Sequence, residues 1–391
     1  MDIREVVRED VIKDKTPYML LELPTSFGKS KLALDIMTSR CTTKSKILVV
    51  IPRLILIKNW KEEFIKWGHE EYINSVEFVT YISFPKKAGH WDLIIFDEAH
   101  HLSERCRDSL DYFDIDNAIL LSATVGRNIK VDLHNSFRDL RTIKVSTKDA
   151  IEENILPDPT VYLIPLTLDN SYTNHEIVKN KSKGNPLVVP YHKRWDYRST
   201  KHRTIIIKCT QQQYYDNMSS MITWYKNKMY IERYKNMYLR ECGNRLKWLS
   251  EQKTSFINTL LDKLDKERTL TFCSSVEQTE LLGKYCINSK NKKSDIYIED
   301  FNKGKINHIT ACAMLNEGAN LTNCRVGIYA SLNSSDRIIT QRLGRLLRHK
   351  SPIIIIPFYK HTRDEELVMK MAEDYNPSLV KIIDNLNELK L

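Results

Sequence analysis

Four short segments of this 391-residue chain hold residue types that together can bind and split a nucleoside triphosphate. In chain order they read PTSFGKS at 24–30, DEAH at 97–100, SAT at 122–124 and QRLGRLLR at 341–348. They offer a phosphate-binding loop, two adjacent carboxylates, two hydroxyls and several arginines. Each pattern is weak alone, but this order is hard to obtain by chance. The sequence therefore predicts phosphoryl-transfer chemistry.

The first segment resembles a phosphate-binding loop. In such a loop, backbone N–H groups at a helix N-terminus hold phosphate oxygens, a lysine reaches the β- and γ-phosphates, and a hydroxyl contacts Mg²⁺. Lys29 and Ser30 fit the last two roles. The residues before them would complete the cradle: Thr25, Ser26, Phe27 and Gly28. The match is incomplete, because Leu23 replaces the first glycine of the pattern and Ser26 stands where glycine is common.

The second segment begins where a buried strand is predicted to end. The apolar run up to Phe96 would deliver Asp97 and Glu98 to the edge of a sheet. Asp97 would hold Mg²⁺, partly through water, and Glu98 would act as the general base for the attacking water. An acidic turn that only caps a helix is the alternative.

The last segment supplies cations. Phosphoryl transfer places charge on the equatorial oxygens, so arginines that arrive when a site closes stabilise the transition state. Arg345 and Arg348 are the candidates, with Gln341 one turn earlier on the same helix face. A basic surface helix is the alternative reading.

Short apolar runs followed by polar residues are typical of buried parallel strands. One set falls at 18–23, 47–51, 93–96 and 118–121, and a second at 270–273, 306–313, 326–330 and 353–356. Ligands of open α/β sheets bind beyond the carboxyl ends of the strands, which is where the motifs lie. The sequence predicts an α/β fold with two parallel sheets.

Other stretches carry less information. The segment 58–67 predicts an amphipathic helix with Trp60, Phe64 and Trp67 in the core. The polar, lysine-rich stretch 168–204 predicts a loop or small insertion, and 214–248 predicts helix, with aromatic residues interleaved with basic ones. We interpret those aromatics as core that packs against the second α/β unit.

Composition limits the partners and the location. The net charge of +10 suits a polyanionic partner. The N-terminus is charged where a signal peptide needs an apolar run, and the apolar stretch 353–356 is too short to span a bilayer. We expect an intracellular, soluble protein without a membrane partner. The eight cysteines are scattered without the spacing of a metal site, which favours reduced thiols.

With these motifs, the chain resembles superfamily 2 helicases, most closely the compact phage and bacterial members with a DEAH-type second motif. The resemblance implies two tandem RecA-like domains, with ATP and Mg²⁺ in the cleft between them. Residues 1–165 would form the first domain, 166–252 a connecting helical and loop insertion, and 253–391 the second domain.

The resemblance also implies individual roles. Ser122 and Thr124 would couple hydrolysis to domain movement, with His100 linking the DEAH segment to them. Gly318, in the fifth motif, would contact the nucleotide, and the second domain would supply the arginines. Nucleic acid would be gripped through its backbone by Arg53, Thr80 and Ser274.

The expected function is an ATP-dependent DNA helicase or translocase acting on single-stranded, forked or branched DNA. Three alternatives stay open: a double-strand translocase that remodels branched DNA, an RNA-dependent ATPase, and a non-catalytic, nucleotide-gated scaffold. RNA is not excluded as a partner. We expect a monomer that is targeted by protein partners, and the abundance of Lys, Asn and Ile is compatible with a phage genome.

Overall fold

A computed structural model of the protein describes residues 2–179, 186–191, 204–288, 290–312, 321–332, 346 and 349–391. The strands of the first unit are β1 (Tyr18–Glu22), β2 (Ile47–Ile51), β3 (Val76–Thr80), β4 (Gly89–Trp91), β5 (Leu93–Asp97), β6 (Phe113–Ile115), β7 (Ala118–Ser122) and β8 (Arg141–Lys144). Its helices are α1 (Ile3–Lys13), α2 (Lys29–Arg40), α3 (Leu56–Lys66), α4 (Glu104–Ser109), α5 (Arg127–Ser136) and α6 (Thr147–Glu152). Six of these strands form a parallel sheet in the order β3-β2-β5-β7-β1-β8.

The first sheet is buried on both faces. Along β2, Ile47 and Val49 pack into one core, whereas Leu48 and Val50 pack into another on the opposite face. Successive side chains of a strand point to opposite faces, so a strand covered on both sides must be apolar at every position. This requirement explains why the strands could be located as continuous apolar runs.

The remaining elements follow in chain order. The strands are β9 (Thr160–Leu166), β10 (His175–Lys179), β11 (Leu187–Pro190), β12 (Ile205–Cys209), β13 (Thr269–Phe272), β14 (Cys286–Ile287), β15 (His308–Ala311), β16 (Val326–Tyr329), β17 (Ile353–Tyr359) and β18 (Val380–Ile382). The helices are α7 (Gln211–Lys226), α8 (Glu232–Gln252), α9 (Thr254–Lys263), α10 (Val276–Leu282), α11 (Ser294–Asn302) and α12 (Arg363–Ala372). Seven strands form a second parallel sheet in the order β14-β15-β13-β16-β17-β9-β18. The predicted α/β class with parallel sheets is confirmed.

Strand β9 belongs to the second sheet, although the expected domain boundary at residue 165 falls inside it. It pairs with β17 along its whole length, from Thr160 opposite Ile353 to Leu166 opposite Tyr359. The chain therefore enters the second sheet before the insertion begins. An apolar run shows that a strand is buried but not which strand it pairs with.

The stretch expected to be a loop, 168–204, contributes to a small third sheet. Strand β12 lies between antiparallel β10 and parallel β11, and Ile177, Ile205 and Ile207 form its apolar face. The lysine-rich positions 180–185 and 192–203 lie outside the described residues. The part of the chain that the structure covers includes no helix of the length and apolar character that crossing a membrane requires.

Candidate active site

Three neighbouring strands bring the first three motifs to one edge of the first sheet. Strand β7 lies between β5 and β1, with Ser122 opposite Glu22 and Leu121 opposite Asp97. All three strands are parallel, so their carboxyl ends meet at the same edge. The phosphate-binding loop, the acidic pair and the hydroxyl segment therefore surround one point, where ligands of α/β sheets bind.

The loop after β1 has the backbone that a phosphate cradle needs. Gly28 lies at φ +102° directly before α2, and Ser26 at φ +72° adopts the left-handed conformation that glycine favours. No atom lies within 4 Å of the position that a Cβ on Gly28 would occupy, so the helix N-terminus faces open space. Lys29 Nζ donates a hydrogen bond to the Leu23 carbonyl at 3.2 Å, which holds the lysine over the loop. Thr25 and Ser30 are half-buried and Phe27 is buried.

Asp97 and Glu98 stand at the end of β5 in an unusual backbone setting. Trp60 Nε1 donates to Asp97 Oδ2 at 2.9 Å, and the Tyr81 hydroxyl donates to the Asp97 carbonyl at 2.7 Å. Glu98 lies at φ +54° and its side chain makes no capping bond with the short 3₁₀ helix that follows. The capping alternative for this acidic turn is therefore not observed. A non-glycine residue in this conformation carries strain, which is common at functional sites.

The acidic pair is set up to receive a cation. Burial, and next the negative charge of Glu98, raise the pKa of Asp97 from 3.8 to about 6, whereas the Trp60 bond and the charge of Lys29 act in the opposite direction. Glu98 Oε2 is buried and accepts no hydrogen bond from the described residues. Carboxylate and hydroxyl oxygens are the ligands that Mg²⁺ prefers. Asp97 and Ser30, which line one cleft, therefore fit this ion.

His100 connects the acidic pair to the segment after β7. Its buried Nδ1 lies 3.0 Å from Ser122 Oγ and 3.4 Å from Glu98 Oε2. Ser122 Oγ itself donates its single proton to the Thr124 carbonyl at 2.9 Å. The arrangement is satisfied when His100 Nδ1 carries a proton and donates to Ser122. The structure thus brings the four residues expected to act in coupling and catalysis into one chain of contacts.

A cleft of about 610 Å³ covers the site, with Arg4 at its wall. The Arg4 guanidinium donates to the Ser26 carbonyl at 3.4 Å and to the Ile155 carbonyl at 3.2 Å. It therefore joins the phosphate-binding loop to the segment that leads into β9. Sequence reasoning missed Arg4, because the loop residue that it contacts, Ser26, is 22 positions away in the chain.

Glu22 is a second residue that sequence reasoning missed. This carboxylate is buried at the end of β1, accepts from the Val125 backbone N–H at 2.8 Å, and pairs with Lys130. It ties the strand before the phosphate-binding loop to the segment after Thr124. A charged last residue in an otherwise apolar strand was the available signal, since carboxylates are rarely buried without a partner.

The residues expected to grip nucleic acid lie at the carboxyl edges of both sheets. Thr80 ends β3 opposite Ile51, and half-buried Arg53 follows two positions after Ile51. These two residues therefore occupy one corner of the first sheet. Ser274 follows β13 in the second sheet, where its hydroxyl donates to Gln278 Oε1 at 3.1 Å.

Most of the two remaining motifs lies outside the described residues. This applies to Gly318 and to the cationic segment with Gln341, Arg345 and Arg348. Leu346 is described and is fully buried in the core beside β16. A Cβ placed on Gly327 of that strand would lie only 2.2 Å from Leu346 Cδ1. This glycine therefore makes room for the Leu346 side chain.

Comparisons with known proteins cover both units. The family described as "Type III restriction enzyme, res subunit" matches residues 3–127, and "Helicase conserved C-terminal domain" matches residues 252–350. The chain is 23% identical to the DNA 3'-5' translocase XPB2 of Sulfurisphaera tokodaii, over 92% of this chain and 79% of that protein. The first family match spans β1 to β7 of the first unit, and the second spans β13 to β16 of the second sheet.

Solved structures share the fold at low identity. Dbp5 of S. cerevisiae bound to RNA and ADP BeF3 superposes with a TM-score of 0.63 at 10% identity, covering 98% of this chain and 89% of that chain. The Hef helicase domain of Pyrococcus furiosus gives 0.52 at 14% identity, covering 94% and 97%. The fold is therefore that of tandem RecA-like domains. Together with the ordered motifs and the two family matches, this places the chain in superfamily 2 of the helicases, a class of nucleic-acid-dependent ATPases.

Proposed function

We propose that this protein is an ATP-dependent DNA translocase or helicase that binds ATP with Mg²⁺ at the carboxyl edge of the first sheet. The observation that carries the proposal is the convergence of Lys29, Asp97 and Glu98 at one cleft, with Asp97 half-buried and its pKa raised to about 6. A carboxyl in that state is suited to a partner of positive charge.

Each residue of the first unit has a distinct task. The backbone N–H groups at the start of α2 bind phosphate oxygens, and Lys29 exchanges its bond with the Leu23 carbonyl for the β- and γ-phosphates. Ser30 and Asp97 would hold Mg²⁺, which neutralises phosphate charge when bound. Glu98 orients the attacking water and accepts its proton.

Coupling runs through His100. Because its Nδ1 lies between Glu98 Oε2 and Ser122 Oγ, a change in the charge or position of Glu98 alters the bond to Ser122. Ser122 in turn holds the Thr124 carbonyl. Hydrolysis would reach the segment after β7 by this route, and that segment would move relative to the second unit.

The second unit completes the site. By their place in the sixth motif, Arg345 and Arg348 would stabilise the charge that develops during hydrolysis, with Gln341 beside them and Gly318 near the nucleotide. ATP binding would draw the two units together and hydrolysis would release them. The nucleic-acid grip of Arg53, Thr80 and Ser274 would then shift along one strand.

DNA is the polynucleotide that the sequence relationship favours, because the relative aligned over most of the chain is named a DNA translocase. The net charge of +10 agrees with a sequence-independent grip on phosphates. A monomeric state, protein partners for targeting, an intracellular location and a phage origin remain predictions.

A side-by-side ATPase measurement tests the proposal. We expect single-stranded or forked DNA to raise the hydrolysis rate by at least tenfold over protein alone, with duplex DNA and RNA less effective. Stimulation by RNA only would identify the RNA-dependent alternative. Absence of hydrolysis with every polynucleotide would refute the proposal and support a nucleotide-gated scaffold.

A further inference from the structure

The hairpin formed by α7 and α8 ends in an exposed aromatic surface. We define the hairpin tip as residues 224–235. Trp224 is 45% exposed and Tyr230 is 82% exposed, whereas Tyr215 and Leu249 near the base of the hairpin are buried. The interpretation of these aromatics as core therefore holds at the base and is wrong at the tip. Large exposed aromatic groups that cluster together mark interaction sites.

Two rings at the tip, those of Trp224 and Tyr234, contact each other before any partner binds. Trp224 packs edge-on against Tyr234 with ring centroids 5.4 Å apart. Lys228 Nζ lies 3.8 Å from the centroid of the Trp224 ring and 5.5 Å from that of Tyr234. Such cation–π contacts fix the orientation of an exposed indole. A planar ligand that stacks on Trp224 meets a ring whose conformational entropy is already reduced.

The charge of the tip indicates the kind of partner. Within 224–235 one residue is acidic, Glu232, and four are basic: Lys226, Lys228, Arg233 and Lys235. Flat apolar rings surrounded by positive charge match a polymer of flat bases joined by phosphates. An apolar protein partner would gain nothing from that charge, so the combination favours nucleic acid.

The base of the hairpin is anchored beside a residue expected to grip the nucleic-acid backbone. Ser274 Oγ lies 3.5 Å from the Lys247 carbonyl of α8, and Ser250 Oγ donates to Gln278 Oε1 at 2.8 Å. With a rise of about 1.5 Å per residue, α8 carries the tip roughly 25 Å from Ser274. That distance corresponds to about seven base steps of 3.4 Å along a strand.

We propose that the hairpin tip stacks on nucleobases at the junction between single-stranded and double-stranded DNA, and so acts as the wedge that separates strands as the motor moves. This inference rests on the proposed function and deepens it, because it favours strand separation over translocation along intact duplex. Trp224 and Tyr230 provide the stacking surfaces. The basic side chains contact the flanking phosphates.

The test compares Trp224→Ala and Tyr230→Ala with Tyr172→Ala, which removes a ring that is 73% exposed in the loop between β9 and β10. The first readout is binding to a forked DNA with 2-aminopurine at the junction, measured by fluorescence without nucleotide. The second is unwinding of the same fork with ATP. The third is the ATPase rate at saturating oligo(dT).

We expect each tip variant to bind the fork about tenfold more weakly, which corresponds to about 1.4 kcal/mol and lies within the range of one base–aromatic stack. Fluorescence quenching and unwinding should fall with it, while the oligo(dT)-stimulated rate stays within about twofold of wild type. The Tyr172→Ala control should match wild type throughout.

Wild-type fork binding and unwinding in both tip variants would overturn the inference, and would leave the aromatic surface to a protein partner. Equal loss of unwinding and of the oligo(dT)-stimulated rate would also overturn it, because the hairpin would then serve only the fold. A different result would refute the proposed function: no polynucleotide would raise the ATPase rate of the wild-type protein. The fork-binding measurement needs no hydrolysis, so it still tests whether the hairpin tip binds the DNA junction in that case.

Discussion

Replacing Asp97 with asparagine should make the protein more stable when metal and nucleotide are absent. The Asp97 carboxylate is half-buried beside Glu98, and this environment raises its pKa from 3.8 to about 6. A difference of roughly two pKa units, at about 1.4 kcal/mol each, gives an upper bound of about 3 kcal/mol for the cost of ionising Asp97 in the folded state. Asparagine keeps an oxygen for the Trp60 N–H and carries no charge.

The sign of the effect follows from the direction of the shift. Because the folded protein holds the Asp97 proton more tightly than the unfolded chain, the carboxyl destabilises the fold as pH rises from about 4 to about 6, and the cost is constant above that range. Asp97→Asn should therefore match wild type near pH 4 and exceed it at pH 7.5. At 2–4 °C per kcal/mol, a gain of about 1–3 kcal/mol raises the midpoint by roughly 5 °C.

The assay is thermal unfolding in EDTA at both pH values, with Asp111→Asn as the control. Asp111 is exposed, so Asp111→Asn also removes one negative charge, but from a carboxylate that burial does not destabilise. Addition of Mg²⁺ should stabilise wild type more than Asp97→Asn, which lacks the cation ligand. An Asp97→Asn variant that is no more stable at pH 7.5, or that gains equally at pH 4, would refute the electrostatic reasoning.

Three further outcomes are expected. Arg345→Ala should lower the DNA-stimulated turnover by at least 100-fold and ATP affinity by less than tenfold; equal losses would indicate ground-state binding. Gly327→Ala should lower turnover, because the new Cβ displaces the buried Leu346 of the sixth motif. Gly243→Ala is the control, since no atom lies within 4 Å of its new Cβ, and it should leave turnover unchanged. Equal turnover in the two variants would show that the contact between residue 327 and Leu346 is unimportant. The buried pair of Lys253 Nζ and Asp364 Oδ2, 2.6 Å apart, predicts that Asp364→Ala lowers the free energy of unfolding by about 3–5 kcal/mol in urea titrations, and a loss below 1 kcal/mol would contradict it.

The sequence was most informative where chemistry depends on residues close together in the chain. Lys29 and Ser30, and likewise Asp97 and Glu98, are neighbours at strand ends, so an apolar run followed by a motif located them. Continuous apolar runs also identified the strands, because both faces of these sheets are buried.

Local motifs and apolar runs do not predict contacts between segments that are distant in the chain. Arg4 meets the Ile155 carbonyl 151 positions away, and its amphipathic helix gives no sign of that partner. Helical spacing placed Trp60 and Trp67 in the core, and the prediction is right for Trp60 and wrong for Trp67, which is 37% exposed. The acceptor of the Trp60 indole N–H is set by how α3 packs on β5. Exposure of Trp224 likewise depends on which distant segments pack against α7, which helical periodicity does not report.

The most direct test of ATP hydrolysis at this edge of the sheet is the DNA-stimulated turnover of Glu98→Gln, measured beside its equilibrium affinity for ATP. Glutamine preserves the size of the side chain and removes the base. We expect turnover to fall by at least 100-fold while the Kd for ATP stays within about threefold of wild type. Turnover close to wild type would show that Glu98 does not activate the water, and the chemistry assigned to this cleft would have to be abandoned.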